Sequence, residues 1–341
     1  MPEKSIVFAV GDIVDCDNST PGKGAIETAK LLNKLLKEEG NEGALVLLLG
    51  DLVYDNGTEG QIANCYDQTW GQFYSRSLPT PGNHEYYALD SAGKDYSIGP
   101  YQQYWDLRFQ AIAQMNGFAG VADEGYYKFQ HASWTFLSIN STAIVEDADT
   151  LEAYPLSLIN KSNEPPHIKK WKKANLKIQT ALAGHKLLDT YKHQQKWLNA
   201  EAFKNNKECT LVFTHYPRYS SGKHGNEKWE TDPLIPVYRM LIDNGVSVVL
   251  AGHDHDYERF HPMDEKGVRD DMNGITSCVV GTGGTEHRDF ENIINNSAKR
   301  VPNEWGILRL ELYSDHYNSQ FITTTGKRMD SHTEKCVPRA Q

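Results

Sequence analysis

Aspartate, histidine, asparagine and tyrosine recur in this chain in five short blocks. They are Gly11-Asp12, Gly50-Asp51-Leu52-Val53-Tyr54, Gly82-Asn83-His84-Glu85, Thr214-His215 and Gly252-His253-Asp254-His255. Carboxylate, imidazole and amide oxygen are the donors a positively charged metal pair takes, and one carboxylate can be shared between two ions. The glycines let the backbone turn at a strand end and bring the next side chain close to an ion. A Gly-Asp pair alone is commonplace; five blocks of this kind in one chain are not. Competing chemistries are weaker. The five cysteines show no CxxC spacing for a thiolate zinc site, although one or two disulfides remain open. Gly281-Thr282-Gly283-Gly284 is followed by no Gly-Lys-Ser/Thr, so it is no phosphate-binding P-loop.

Four of the blocks end a short apolar run. Residues 6–10, 45–49 and 211–213 are continuous apolar stretches and 246–251 is one broken only by Ser247, the pattern of strands buried on both faces. Helical periodicity runs over residues 26–39, with Gly40 as a stop, and over 232–244, where Pro233 lies near the start and Gly245 follows the end. Strand, helix and strand in alternation predict an α/β fold with largely parallel central strands. In such sheets ligands gather beyond the carboxyl ends of the strands, which is where these blocks would deliver Asp12, Asp51, His215, His253 and His255. Residues 143–190 break the pattern, with an acidic stretch, Glu164-Pro165-Pro166 and then a lysine-rich stretch. They predict an insertion, either a surface segment or a lid or partner-binding element.

Composition sets outer bounds. Thirty-five basic and 45 acidic residues leave a formal charge of −10, which disfavours nucleic acid and anionic membranes as partners. The longest apolar runs are far short of the ~20 residues that cross a bilayer. Met1-Pro2-Glu3-Lys4 leads straight into an apolar stretch, so no signal peptide is expected in this chain. That fits a cytoplasmic protein, or a periplasmic or secreted one whose leader has been removed.

Together the blocks resemble the calcineurin-like metallophosphoesterase superfamily, and within it the purple acid phosphatase branch. The motifs GD, GDxxY, GNHE, xxxH and GHxHxYER stand here as Gly11-Asp12, Gly50-Asp51 with Tyr54, Gly82 to Glu85, His215, and Gly252 to Arg259. The likeness runs from about residue 5 to residue 290 outside the 143–190 insertion, and the stretch from His215 to Gly225 is similar to bacterial secreted members. It implies one domain over residues 1–341: a four-layer α/β/β/α sandwich of two mixed sheets flanked by helices, with the metal site at the strand C-terminal ends. It further implies that Asp12, Asp51, Tyr54 and His255 hold one metal and Asn83, His215 and His253 the other, with Asp51 bridging. In that branch the first metal is ferric iron and the second zinc, iron or manganese. Val14 stands where many other superfamily members carry a histidine ligand, which fits the presence of Tyr54. The run Gly11 to Asp15 departs from the branch by lacking the glycine that plant and animal enzymes usually have there.

The resemblance makes His84 a proton donor to the leaving alkoxide or an oxyanion stabiliser; His224 is expected as a second phosphate contact, since Ser220-Ser221-Gly222 before it reads as a flexible loop. Tyr257, Glu258 and Arg259 are expected to pin the last strand and loop. The implied reaction is hydrolysis of phosphate monoesters, of small molecules or phosphoproteins, by a metal-activated hydroxide without a phosphoenzyme. A phosphodiesterase acting on cyclic nucleotides or lipid head groups would use the same centre. A non-catalytic binding protein could keep the same fold.

Overall fold

The apolar runs that end in candidate ligands form the middle of two sheets. In the computed structural model, which describes residues 4–38, 40–88, 97–146, 186–204 and 208–336, β1 (Ser5–Val10) leads to a small hairpin of β2 (Cys16–Asp17) and β3 (Thr20–Pro21). Helix α1 (Lys23–Leu35), β4 (Leu45–Leu49), β5 (Ser77–Thr80) and α2 (Gly99–Ile112) follow. Next come β6 (Ala119–Val121), β7 (Tyr126–His131), β8 (Trp134–Ser138) and α3 (Ser141–Val145). After the undescribed stretch lie α4 (Lys186–Ala200), β9 (Cys209–Phe213), α5 (Ile235–Asp243) and β10 (Val248–Ala251). The chain ends with β11 (Tyr257–Phe260), β12 (Thr276–Val280), β13 (Ser297–Val301), β14 (Gly306–Leu312), β15 (His316–Thr323) and β16 (Arg328–Lys335).

The first sheet has the order β16-β15-β14-β1-β4-β5 and the second β13-β11-β12-β10-β9-β8-β7-β6. β1, β4 and β5 run parallel, as do β8, β9, β10 and β12, while the outer strands are antiparallel. Both sheets are therefore mixed, with parallel centres.

Side chains of the second sheet alternate between two cores, as a two-residue period requires. Phe136, Leu211, Phe213, Val248, Leu250, Cys278 and Val280 join the core shared with the first sheet. Their neighbours Leu137, Val212, Val249 and Val279 point the other way, onto Trp197 and Leu198 of α4 and Val237, Tyr238 and Leu241 of α5. Leu31, Leu32 and Leu35 of α1 pack with β1 and β14. The layers are helix, sheet, sheet and helix.

Two differences from the sequence reading concern helix ends. The first helix covers Lys23–Leu35 rather than 26–39, and Gly24 in its first turn lies directly against the backbone of Gly284, where no larger residue would fit. The borders of the expected insertion belong to the body of the fold: residues 143–146 lie buried in and beside α3, and 186–190 open α4. Its remainder, 147–185, lies outside the described residues. Two disulfides are present, Cys16–Cys65 and Cys209–Cys336, and Cys278 is buried and free. Among the described residues no helix is long and apolar enough to cross a membrane.

Candidate metal centre

Parallel strands bring their carboxyl ends to one edge, and the two sheets meet there. Asp12 follows β1, Asp51 follows β4, Asn83 and His84 follow β5, His215 follows β9, and His253 and His255 follow β10. The tips are laced together by main-chain hydrogen bonds, Asp12 N–H to Gly50 O (3.1 Å) and Gly252 N–H to His215 O (2.9 Å) among them. Asp12, Asp51 and His253 have positive φ angles of 58°, 50° and 71°. Side chains rarely adopt this left-handed region, and such strain concentrates at functional sites. Glycine is needed where the tips crowd. A Cβ on Gly82 would sit 2.1 Å from Asp51 Oδ1, and one on Gly252 would sit 2.6 Å from Asp12 Oδ2.

The seven expected metal-binding side chains converge in two overlapping groups. In the first, the Tyr54 hydroxyl lies 2.7 Å from Asp12 Oδ1, 2.9 Å from Asp51 Oδ2 and 3.2 Å from His255 Nε2. In the second, His215 Nε2 lies 3.0 Å from Asn83 Oδ1, 3.2 Å from His253 Nδ1 and 3.4 Å from Asp51 Oδ2. Asp51 belongs to both. His215 donates its Nδ1–H to the Leu49 carbonyl and His255 its Nδ1–H to the Glu286 carbonyl, each at 2.9 Å. Each imidazole therefore turns Nε2 towards the cluster. The Asn83 amide donates to the Tyr87 hydroxyl (2.9 Å), which leaves its oxygen facing inward.

Acceptors thus face acceptors, and the donor set fits a cation. One proton can serve one such contact, whereas a metal ion serves all of them. The electrostatics report the same demand. Burial works to lower the His215 pKa, yet the Asp51 carboxylate overrides it and raises it to about 9. Burial pushes Asp12 up to about 7. Burial would raise Asp51 too, but the facing His215 and His84 hold it well below the carboxylate range. Burial, then Asp12 and Asp51, push the Tyr54 phenol well above its ordinary value, so a tyrosinate here needs a nearby cation. Burial keeps His253 and His255 neutral, the form that binds metals.

His84 stands at the edge of the cluster. Its Nδ1–H donates to the Asp55 carbonyl (2.5 Å), and Nε2 lies 3.9 Å from Asp51 Oδ2. It borders a cleft of about 300 Å³ with Tyr54 and His255, rimmed by Asp15, Glu286 and Arg288. His224 lies on the other side, its ring 4.1 Å from that of His253 and its Nδ1 on Glu230. His287 packs against Trp305 instead. Tyr257 and Arg259 bond Asp330 on β16, and Glu258 receives the Ser221 N–H and hydroxyl, so these three do pin the last strand and loop.

Two carboxylates escaped the sequence reading. Glu85 accepts from the backbone N–H groups of Asp51 (2.9 Å), Leu52 (2.8 Å) and Gly82 (2.7 Å), bracing two ligand loops at once. The block at residues 82–85 contained it, but nothing in the sequence showed which amides it would reach. Glu230 contacts both His224 and His253 and had no signal in the sequence.

The family model for calcineurin-like phosphoesterases matches residues 5–257. The chain belongs to that family. Its relatives include a purple acid phosphatase of Glycine max, 25 % identical over 76 % of this chain and 48 % of that protein. Purple acid phosphatase 18 of Arabidopsis thaliana is 29 % identical over 40 % of this chain and 30 % of the relative. The chain thus spans less than half the length of these relatives. Tartrate-resistant acid phosphatase type 5 of Homo sapiens is 24 % identical over 40 % of each chain. The fold is shared with the purple acid phosphatase PPD1 of yellow lupin, with a TM-score of 0.58 and 17 % identity over 98 % of this chain and 54 % of that one. It is shared too with GAP50 of Plasmodium, described as the anchor in the inner membrane complex, with a TM-score of 0.59 and 15 % identity over 98 % and 89 %.

Proposed function

We propose that this chain hydrolyses phosphate monoesters at a dinuclear metal centre. The observation that carries the reading is the convergence of Asp12, Asp51, Tyr54, Asn83, His215, His253 and His255 with more lone pairs than protons to satisfy them. Membership of the phosphoesterase family and the purple acid phosphatases among its relatives support it. Asp12, Tyr54 and His255 would hold one ion and Asn83, His215 and His253 the other, with Asp51 shared. A phenolate and carboxylates suit a hard ion such as ferric iron; two imidazoles and an amide suit zinc, iron or manganese. Two such ions, when bound, would supply an activated water near neutral pH and neutralise the phosphoryl oxygens.

The chain's own residues do the rest. Tyr87 and Glu85 orient Asn83 and the loop amides, so the site is organised before substrate arrives. His84 has its Nδ1 hydrogen committed to Asp55, so it donates to a leaving oxygen from Nε2 and must do so as the imidazolium. His224 would contact a phosphoryl oxygen from its own Nε2. The cleft is at the small end of ligand sites, which suits a small phosphorylated molecule or one phosphorylated side chain of a protein. Two disulfides fit an oxidising compartment, the periplasm or the cell exterior.

The same centre could serve diesters, and a fold shared with a protein described as an anchor leaves a non-catalytic role as the further alternative. The test is the pair of turnover rates for nitrophenyl phosphate and the matching diester on metal-replete protein, with metal content measured in parallel. A much faster monoester supports the proposal, a faster diester replaces it, and no turnover with two bound ions sinks both. Asp51→Ala should remove both ions and all turnover; near-normal metal content in that variant would overturn the ligand assignment.

A further inference from the structure

The His253 ring has a different neighbour on each nitrogen. Nδ1 faces His215 Nε2 at 3.2 Å, within the group that contains Asp51, while Nε2 lies 3.1 Å from Glu230 Oε2. The same carboxylate lies 3.1 Å from His224 Nδ1 through each of its oxygens. Glu230 is buried, on the short helix Lys228–Thr231, and among the described residues its carboxylate bonds these two imidazoles. A carboxylate only accepts here, so each imidazole nitrogen that faces it carries the hydrogen.

We infer that Glu230 is a positioning residue that sets the tautomer of His253 and the orientation of the His224 ring together, and so couples retention of a metal ion to binding of the phosphoryl group. This rests on the proposed dinuclear site. By accepting the Nε2 hydrogen of His253, Glu230 leaves the Nδ1 lone pair free towards Asp51 and His215, where an ion would sit. Without it, the ring can flip to the tautomer with hydrogen on Nδ1, which cannot ligate. By accepting the Nδ1 hydrogen of His224, the same group holds that ring with Nε2 turned away from the carboxylate, so that a hydrogen bond to a substrate oxygen comes from Nε2 of the imidazolium. Partners of this kind behind a ligating histidine are typically worth about 10- to 100-fold in metal affinity.

A rival role is visible. Glu230, His224 Nδ1 and His253 Nε2 lie close enough together to hold an ion among themselves. The orientation of His253 argues against it, because its Nδ1 is already aimed at Asp51 and His215.

The experiment is competition between full-length holoprotein and a chelator, for the wild type, Glu230→Gln and Glu230→Asp, with stoichiometry read at saturating zinc or manganese. Glu230→Gln should still bind two ions at saturation, hold one of them about 10- to 100-fold more weakly, and show a raised KM for nitrophenyl phosphate. Glu230→Asp, which keeps the charge but shortens the reach, should recover part of both effects and serves as the second variant should Gln impair folding. Affinity within twofold of wild type in the Gln variant overturns the inference. Loss of a whole ion at saturation also overturns it, by making Glu230 a ligand. Metal binding is read without turnover, so a chain that shows this dependence and hydrolyses no ester would keep the inference and lose only the proposed reaction.

Discussion

At the scale of single residues, the division of labour around Asp51 has a kinetic consequence. Its carboxylate faces both groups of donors, while His84 stands 3.9 Å away with its Nδ1 hydrogen held by a main-chain carbonyl. In the proposed reaction His84 would act on the leaving group without holding an ion. His84→Ala should keep both metals. It should slow an ester with a poor leaving group by ~10²–10⁴ and one with a good leaving group much less, because proton donation helps only where the alcohol leaves reluctantly. Equal losses on phenyl and dinitrophenyl esters would exclude that role. The seven side chains expected to hold metal, and His84, could be singled out because their motifs lie beyond strand ends, and what the structure adds is that they converge. Glu85 and Glu230 were not, since their value lies in partners that folding brings close: three backbone amides for one, two imidazoles for the other. The loop before His224 marks it as an expected phosphate contact, but its tie to Glu230 is visible only in three dimensions.

At the scale of elements, the strands that carry ligands were readable and the strands that frame them were not. β1, β4, β9 and β10 are buried on both faces, so their sequences are unbroken apolar runs. β14 and β15 mix buried with half-buried positions and β16, at the sheet edge, has only half-buried and exposed ones; its sequence, Arg-Met-Asp-Ser-His-Thr-Glu-Lys, carries almost no apolar signal. What fixes β16 is long-range: Asp330 takes a bidentate contact from Arg259, both at 2.8 Å, and Cys336 beyond its end is bonded to Cys209 at the start of β9. That bridge lies at the end of β9 opposite to His215 and closes a separation of 127 residues. The other bridge joins Cys16, on the cleft wall, to Cys65 over 49 residues. The two should therefore separate in function. Replacing Cys209 and Cys336 by serine should cost about 2–5 kcal/mol in denaturant unfolding with kcat little changed. Replacing Cys16 and Cys65 should raise KM as well, by loosening the loop that carries Asp15 and borders the cleft. Equal effects of the two pairs on KM would show that the Cys16 loop does not shape the site.

At the scale of the whole molecule, a chain of formal charge −10 is proposed to bind a dianion. Two bound ions would contribute about four or five positive charges at the centre, enough to reverse the sign locally but not over the surface. The cleft rim repeats the imbalance, with Asp15, Asp17, Asp55 and Glu286 against Arg288. A phosphate ester approaching from solvent thus meets repulsion first and attraction only at close range. Salt acts on these two unequally. The Debye length falls from about 30 Å at 0.01 M to about 8 Å at 0.15 M, which screens the distant surface charge while contacts inside the cleft change little. Raising sodium chloride over that range should increase kcat/KM for the dianionic monoester, by roughly two- to fivefold on the scale of such long-range effects, and leave kcat constant. The singly charged diester should gain less, since it feels half the repulsion. A fall in kcat/KM with salt would show that Arg288 and the metal centre dominate the approach as well as the bound state. Equal gains for the two esters would place the salt effect on the protein itself rather than on the encounter.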